Sequence, residues 1–164
     1  MPETHFDENG RPGVPFLTRF IATGFFAGYS PIVPGTAGSL VGLVLYCIPG
    51  VENTAVLSAL SAAVLLLGAA VSATMERHFG EDPQIVVIDE VVGMWISLLL
   101  LPKSIVLAAA AFVLFRVYDT IKPPPARQLE RVRRGWGVML DDVAAGVYAN
   151  LSVRILMWVL PVLK

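Results

Sequence analysis

"TAVLSALSAAVLLLGAAVSAT", residues 54 to 74, carries no charge from end to end. A helix of roughly 20 apolar residues crosses the hydrocarbon core of a bilayer, so this stretch reads as a membrane-crossing helix. Its Ala, Ser and Gly residues suit close packing, because small side chains let neighbouring backbones approach. Four more apolar segments flank it. Upstream, "AGSLVGLVLYCIPG" (37 to 50) is short, follows a Gly/Pro-rich loop and stops at Pro49-Gly50. Downstream, the segment from Ile85 to Leu101 contains the adjacent acids Asp89 and Glu90. The fourth, "SIVLAAAAFVLFRVYD" (104 to 119), ends in charge, and the prolines at 123 to 125 block its continuation, since proline lacks the amide donor and crowds the preceding turn. The fifth runs from about Val143 to Leu163.

Composition agrees with that reading. With 164 residues, 55% of them hydrophobic, and a mean hydropathy of +0.69, the chain has more apolar surface than a soluble domain of this length encloses. The net charge of -1 supplies no overall basic field of the kind a nucleic acid attracts. A single cysteine, Cys47, excludes an internal disulfide and reads as a small buried hydrophobe. The leader "MPETHFDENGRPGVPF" has three acids and three prolines before any apolar run, unlike a cleavable signal peptide, and residues 1–15 read as a retained polar tail. Without internal repeats or a low-complexity linker, residues 1–164 are expected to form one domain. The expected fold is all-α: a multi-pass helical membrane bundle with short loops.

Basic residues orient the bundle. Placing the N-terminus in the cytoplasm puts Arg11, Arg19, Arg77, Arg116, Lys122, Arg127, Arg131, Arg133 and Arg134 inside and only Lys103 in the outer loops. The outer links "VEN" and "PK" are short enough to make antiparallel hairpins of segments 1 and 2 and of segments 3 and 4.

The same parity gathers the polar residues at the cytoplasmic helix ends. These are the loop "GYSPIVPGTAGS" (28 to 39), the start of segment 3, the turn "RVYDTIKPPP", and "GWGVMLDDVAAG" leading into segment 5. On a helix starting near Ile85, Asp89 lies about one turn deep, at headgroup level. Each element has two readings. Asp89 and Glu90 are either a structural pair gripping an arginine such as Arg116 or a chemical site, because intramembrane acids usually mark function. Asp141 and Asp142 fit an N-terminal cap and first-turn acid equally well. Asp119, three residues from both Arg116 and Lys122, fits a helix-end charge cluster. Taken together, the five acids outnumber the two nearby cations, and a divalent cation resolves the mismatch. With no His or Cys among the ligands, an oxygen-only site favours Mg²⁺ over Zn²⁺.

Asp142, Gly146, Asn150 and Arg154 recur every four residues and form one stripe facing other helices, with Asn150 and Arg154 read as structural. The loop "SPIVPGTAGS" is either a plain helix start, with Thr36 or Ser39 as cap, or an anion cradle of glycine amides and hydroxyls. The run "RQLERVRRG" (127 to 135) reads as a basic surface against an anionic leaflet. His5 and His78 stand apart from any plausible nucleophile.

Four blocks in order, "GYSPIVPGTAGS", "DPQIVVIDEVVGMW", "FRVYDTIKPPP" and "GVMLDDVAAGVYAN", resemble the phosphatidylglycerophosphatase A family of bacterial inner-membrane lipid phosphatases. The resemblance runs from about Gly24 to Asn150, with Tyr118 where phenylalanine is commoner. It implies a helical bundle and Mg²⁺-dependent hydrolysis of the phospholipid phosphatidylglycerol phosphate to phosphatidylglycerol and inorganic phosphate at the cytoplasmic face. Carried over by position, Asp89, Glu90, Asp119, Asp141 and Asp142 bind or organise the metal. Asp89, Glu90, Asp119 and Asp142 carry the catalysis. Arg116, Lys122, Ser30, Thr36 and the amides around Gly35 and Gly38 hold phosphate oxygens, and Asp82 stands behind them. The attacking group is either an activated water, the reading we favour, or an aspartate forming an aspartyl phosphate.

Other phosphatase chemistries lack their residues. Cys47 has no arginine at Cys-x5-Arg spacing, no D-x-D-x-[TV] occurs, the two histidines are isolated, and the D-x2-D-G-x2-A-R order of CDP-alcohol phosphotransferases is absent. A small ion-coupled transporter is the rival, but it calls for polar residues near mid-membrane, whereas these acids crowd at one end. A non-catalytic assembly factor leaves the surplus carboxylates unexplained.

Overall fold

In the computed structural model, residues 13–132 and 134–160 are described, and among them every regular element is helical. His5, Arg11, Arg133, Leu163 and nearly all of the polar leader lie outside the described residues.

The uncharged stretch becomes the long helix α3 (Thr54–Phe79), 26 residues and about 39 Å at 1.5 Å per residue. Asn53 caps it by accepting the Ala55 and Val56 amides at 3.0 and 3.3 Å. Among the described residues it is the one helix long and apolar enough to cross a membrane, and most of its apolar window faces outward. Helix α2 (Pro34–Tyr46) is a shorter apolar helix, opened by a proline whose missing amide costs nothing at that position.

At the centre lies α4 (Ile88–Leu98), buried at ten of its eleven positions. A helix over 85–101 was expected, and both ends are trimmed for physical reasons. Upstream, the Val87 amide donates to Ala22 O at 2.9 Å, the end of α1 (Phe16–Ala22), which holds 85–87 out of helical conformation. Downstream, the Ser97, Leu99 and Leu100 carbonyls accept from Asn150 and Arg154 instead of continuing the helix. Asp89 and Glu90 therefore sit in the first turn of α4 rather than one turn inside, where the helix dipole favours acids.

Helix α5 (Ile105–Ile121) is followed by a short α6 (Ala126–Leu129) and then α7 (Trp136–Val159). The last helix begins seven residues before the expected Val143, so Asp141 and Asp142 lie within it and cap nothing. Its cap is Gly135, at φ 75°, where a Cβ would stand 2.5 Å from Ala73 N of α3. Only glycine suits that combination of left-handed backbone and close approach.

Both α2 and α7 pack on α4, with α5 against α7. Small residues make those contacts possible. A Cβ at Gly38 would lie 2.6 Å from Val87 Cβ, and one at Gly146 would strike Gly93 O. Around this seam Val91, Val92, Met94, Trp95, Phe115 and Met139 form the core, and Trp95 Nε1 donates to Gly42 O at 2.9 Å.

The connections segregate to two ends. At one, Lys103 reaches Glu52 at 2.8 Å, tying together the links after α2 and α4. At the other lie the starts of α2, α4 and α7 and the ends of α3 and α5, where Gly135 N donates to Glu76 at 2.9 Å. Cys47, expected to be buried, is exposed: it caps the end of α2 and points away from the core.

A strained turn follows α1. Gly24, Phe25 and Phe26 have φ of 53, 58 and 69°. Each left-handed phenylalanine costs roughly 1–2 kcal/mol. The turn is held by Phe25 N to Phe20 O at 2.9 Å, Gly28 N to Thr23 O at 2.9 Å and Phe26 N to Thr23 Oγ1 at 3.1 Å.

Candidate active site

Three helices deliver one carboxylate each to a common point. Glu90 comes from the first turn of α4, Asp119 from the last turn of α5 and Asp142 from the second turn of α7, and one oxygen of each lies within 4.8 Å of the others. An acid in the last turn of a helix opposes the dipole, so Asp119 is badly placed for stability alone. Arg116, three residues back on α5, reaches the group: its Nη1 donates to Glu90 Oε2 and lies 3.2 Å from Asp119 Oδ2. The structural pairing of Glu90 with Arg116 and the acid cluster are thus one arrangement. One guanidinium faces three carboxylates, and Asp142 Oδ2 is buried without a hydrogen-bond partner. An orphaned buried carboxylate oxygen costs several kcal/mol unless a cation or proton satisfies it. The all-oxygen, negatively charged donor set fits a hard divalent ion.

Asp89 is buried beside this group with Oδ1 unpartnered, yet it stands outside the three converging oxygens. Asp141 is already engaged: Oδ2 accepts from Lys122 Nζ at 2.7 Å and Oδ1 from the Asp142 amide at 3.0 Å. Lys122 also donates to Glu130 at 3.0 Å. Burial disfavours the Lys122 ammonium, but its bonds to Asp141 and Glu130 outweigh that and hold its pKa above the ordinary lysine value. The structure therefore separates the five acids into a converging trio, a lysine-paired Asp141 that accepts from the amide of the trio's Asp142, and Asp89, whose Oδ1 has no partner.

The glycine loop meets this centre through the start of α2. A Cβ on Gly35 would overlap Glu90 Oε1 and stand 3.0 Å from Arg116 Nη2, so the first turn of α2 lies directly on the Glu90–Arg116 pair. Its leading amides lack intrahelical partners. Thr36 shares that turn, Ser30 precedes it in the same loop, and Gly38 is filled in by Val87 and Glu90 Cβ, which makes it a packing residue.

Ser39 escaped the sequence reading as more than a cap. Its Oγ lies 2.9 Å from Gly35 O and 3.0 Å from Glu90 Oε2, which share its one hydrogen, and receives Arg116 Nη1 at 3.3 Å. The only available signal was a hydroxyl in a Gly-rich run. Tyr118, in place of the commoner phenylalanine, shares a hydrogen bond with Ser152 Oγ at 2.8 Å. Beside the Lys122–Glu130 pair opens a cleft of about 820 Å³, bordered by Glu76, Arg77, Asp82, Glu130, Arg131 and Arg134. Asn150 and Arg154 are structural, as their bonds to the end of α4 require.

The family model for phosphatidylglycerophosphatase A matches residues 20–157. A Bacteroides thetaiotaomicron protein, provisionally named a phosphatidylinositol-3-phosphatase, is 41% identical over 88% of this chain and 96% of its own length. Phosphatidylglycerophosphatase A of Escherichia coli is 38% identical over 79% of this chain and 77% of its own, and that of Haemophilus influenzae 36% identical over 82% and 85%. No solved structure matches the chain. By family model and by relatives matched over most of their length, the chain belongs to the phosphatidylglycerophosphatase A family.

Proposed function

We propose that the protein is a Mg²⁺-dependent phosphatase that removes the terminal phosphate of phosphatidylglycerol phosphate. It is one domain, a multi-pass bundle in the bacterial inner membrane, with the acids at the cytoplasmic face. The observation that carries this reading is the convergence of Glu90, Asp119 and Asp142 from three helices beside a buried oxygen that has no other partner. Segregation of the Glu52–Lys103 pair to the far end supports the hairpin topology. The transporter reading is disfavoured by the same crowding of acids at one end.

Glu90, Asp119 and Asp142 hold the ion. Once bound, it supplies Lewis-acid polarisation of a phosphoryl oxygen. The chain does the rest. Arg116 and the leading amides of α2 face the remaining phosphoryl oxygens, where charge develops, with Thr36 and Ser30 as further donors. Lys122 fixes Asp141 through its hydrogen bond and lends positive charge toward the incoming anion. Asp89 Oδ1, buried and unpartnered, takes the proton from a water attacking in line. The phosphorus–oxygen bond to the new water oxygen forms, the bond to the glycerol oxygen breaks, and that oxygen leaves as an alcohol with the proton that Asp89 gives up. Arg131 and Arg134, which form no ion pair among the described residues, meet the anionic leaflet beside the cleft.

Phosphate release from phosphatidylglycerol phosphate in mixed micelles tests the reading. Chelation is expected to abolish release, added Mg²⁺ to restore it, and Asp142→Asn and Glu90→Gln to lower kcat by about 10³-fold, as loss of a charge-stabilising group does. Release that survives chelation and both substitutions overturns the assignment. The name of the Bacteroides relative makes phosphatidylinositol 3-phosphate the comparison substrate. Faster turnover of that lipid would move the substrate while leaving the chemistry.

A further inference from the structure

One surface has no role in the catalysis described. Between residues 13 and 51 the chain holds a single charge, Arg19. The exposed side chains there are large and apolar: Phe16, Leu17, Phe25, Phe26, Tyr29 and Ile32, with Phe16 72% and Ile32 83% exposed. Four phenylalanines and Tyr29 form one aromatic cluster, with edge-to-face ring centroids 5.0 Å apart for Phe20–Phe25 and 5.4 Å for Phe20–Phe26. A soluble protein rarely exposes so contiguous an apolar patch without a binding partner. The left-handed backbone at Phe25 and Phe26 keeps both rings outward, and such strain persists only where the surroundings enforce it.

The surroundings tie this surface to the acid centre. Ala22 O accepts Val87 N two residues before Asp89, a Cβ on Gly28 would strike Ile85 O, and one on Gly24 would stand 3.0 Å from Val87 Cγ2. The aromatic turn is therefore fixed to the segment that launches α4.

We propose that residues 16–33 form an interfacial wedge that lies in the leaflet beside the acid centre and sets the depth at which that centre meets the headgroups. The occupant is lipid for three reasons. Helix α1 packs on α3, so the patch continues the outward apolar surface of the crossing helix. Seven residues span only about 10 Å, too short to cross and right for lying in the interface. Arg19 forms no ion pair among the described residues, which leaves its charge for a headgroup phosphate.

This inference rests on the phosphatase reading for its purpose but not for its test. Cys47→Ser removes the single cysteine, and spin labels at Leu17→Cys, Phe26→Cys and Ile32→Cys are placed one at a time in nanodiscs containing phosphatidylglycerol. Relaxation by oxygen exceeding that by a water-soluble nickel complex at all three positions is expected. Greater access for nickel, or dipolar broadening between copies, overturns the proposal. A kinetic arm uses Phe25→Asn with Phe26→Asn, since asparagine tolerates the left-handed backbone. KM for long-chain substrate in vesicles is expected to rise about tenfold, the scale of one buried aromatic side chain, with kcat on a monomeric short-chain analogue held. Equal loss on both substrates overturns the proposal. If the wild type hydrolyses neither substrate, the phosphatase reading fails while the label depths still decide the wedge.

Discussion

Gly35 shows how little room the site has. Its missing side chain is the space occupied by Glu90 Oε1 and Arg116 Nη2. Gly35→Ala is expected to push this pair apart and lower kcat/KM by about 10²-fold, the penalty of a misplacement near 1 Å. The destabilisation by overpacking is about 1–3 kcal/mol, and comparing activity with the unfolding midpoint in detergent separates the two effects. Ser39→Ala tests a weaker contact. Removing one donor to Glu90 Oε2, while Arg116 remains, should cost about 1 kcal/mol, or roughly fivefold in activity. The acids were legible in the sequence because a charge in an apolar run needs a reason to be there. Ser39 was not, since a hydroxyl after glycines serves as a helix cap as readily as a ligand.

Among the elements, α4 is decisive and was read with the right centre and the wrong ends. Nothing within 85–101 breaks a helix; the breaks come from Ala22 O at one end and Asn150 and Arg154 at the other, all remote in sequence. Helix α7 starts at Trp136 rather than near Val143, because Gly135 of "GWG" is its cap. The four-residue stripe along α7 was legible, because periodicity is a property of the chain itself. It lies on α4, with Gly146 against Gly93 O and Asn150 across the end. Asn150→Leu strands the Ser97 carbonyl and leaves the Leu99 carbonyl to Arg154 alone, so a loss of about 1–3 kcal/mol is expected. Hydrogen exchange should rise first at 97–100. Exchange unchanged there would show that Arg154 alone secures the end of α4.

At the scale of the whole molecule, five helix ends and every acid of the centre share one pole, while Glu52, Lys103 and Cys47 lie at the other. Basic-residue asymmetry groups the same helix ends together, because it is read from the loops rather than from how helices pack. It could not reveal the depth of the centre, which depends on the trimmed start of α4. The lone, exposed cysteine makes the polarity measurable without altering the chain. In intact cells whose outer membrane has been made permeable, a membrane-impermeant maleimide is expected to label Cys47. In a Cys47→Ser background, Arg77→Cys and Arg131→Cys, both bordering the cleft at the acid pole, should be labelled only from inverted vesicles. Labelling of all three positions from one side would place the Glu52–Lys103 pole and the acids on the same face, and no arrangement of antiparallel crossing helices would then account for the chain.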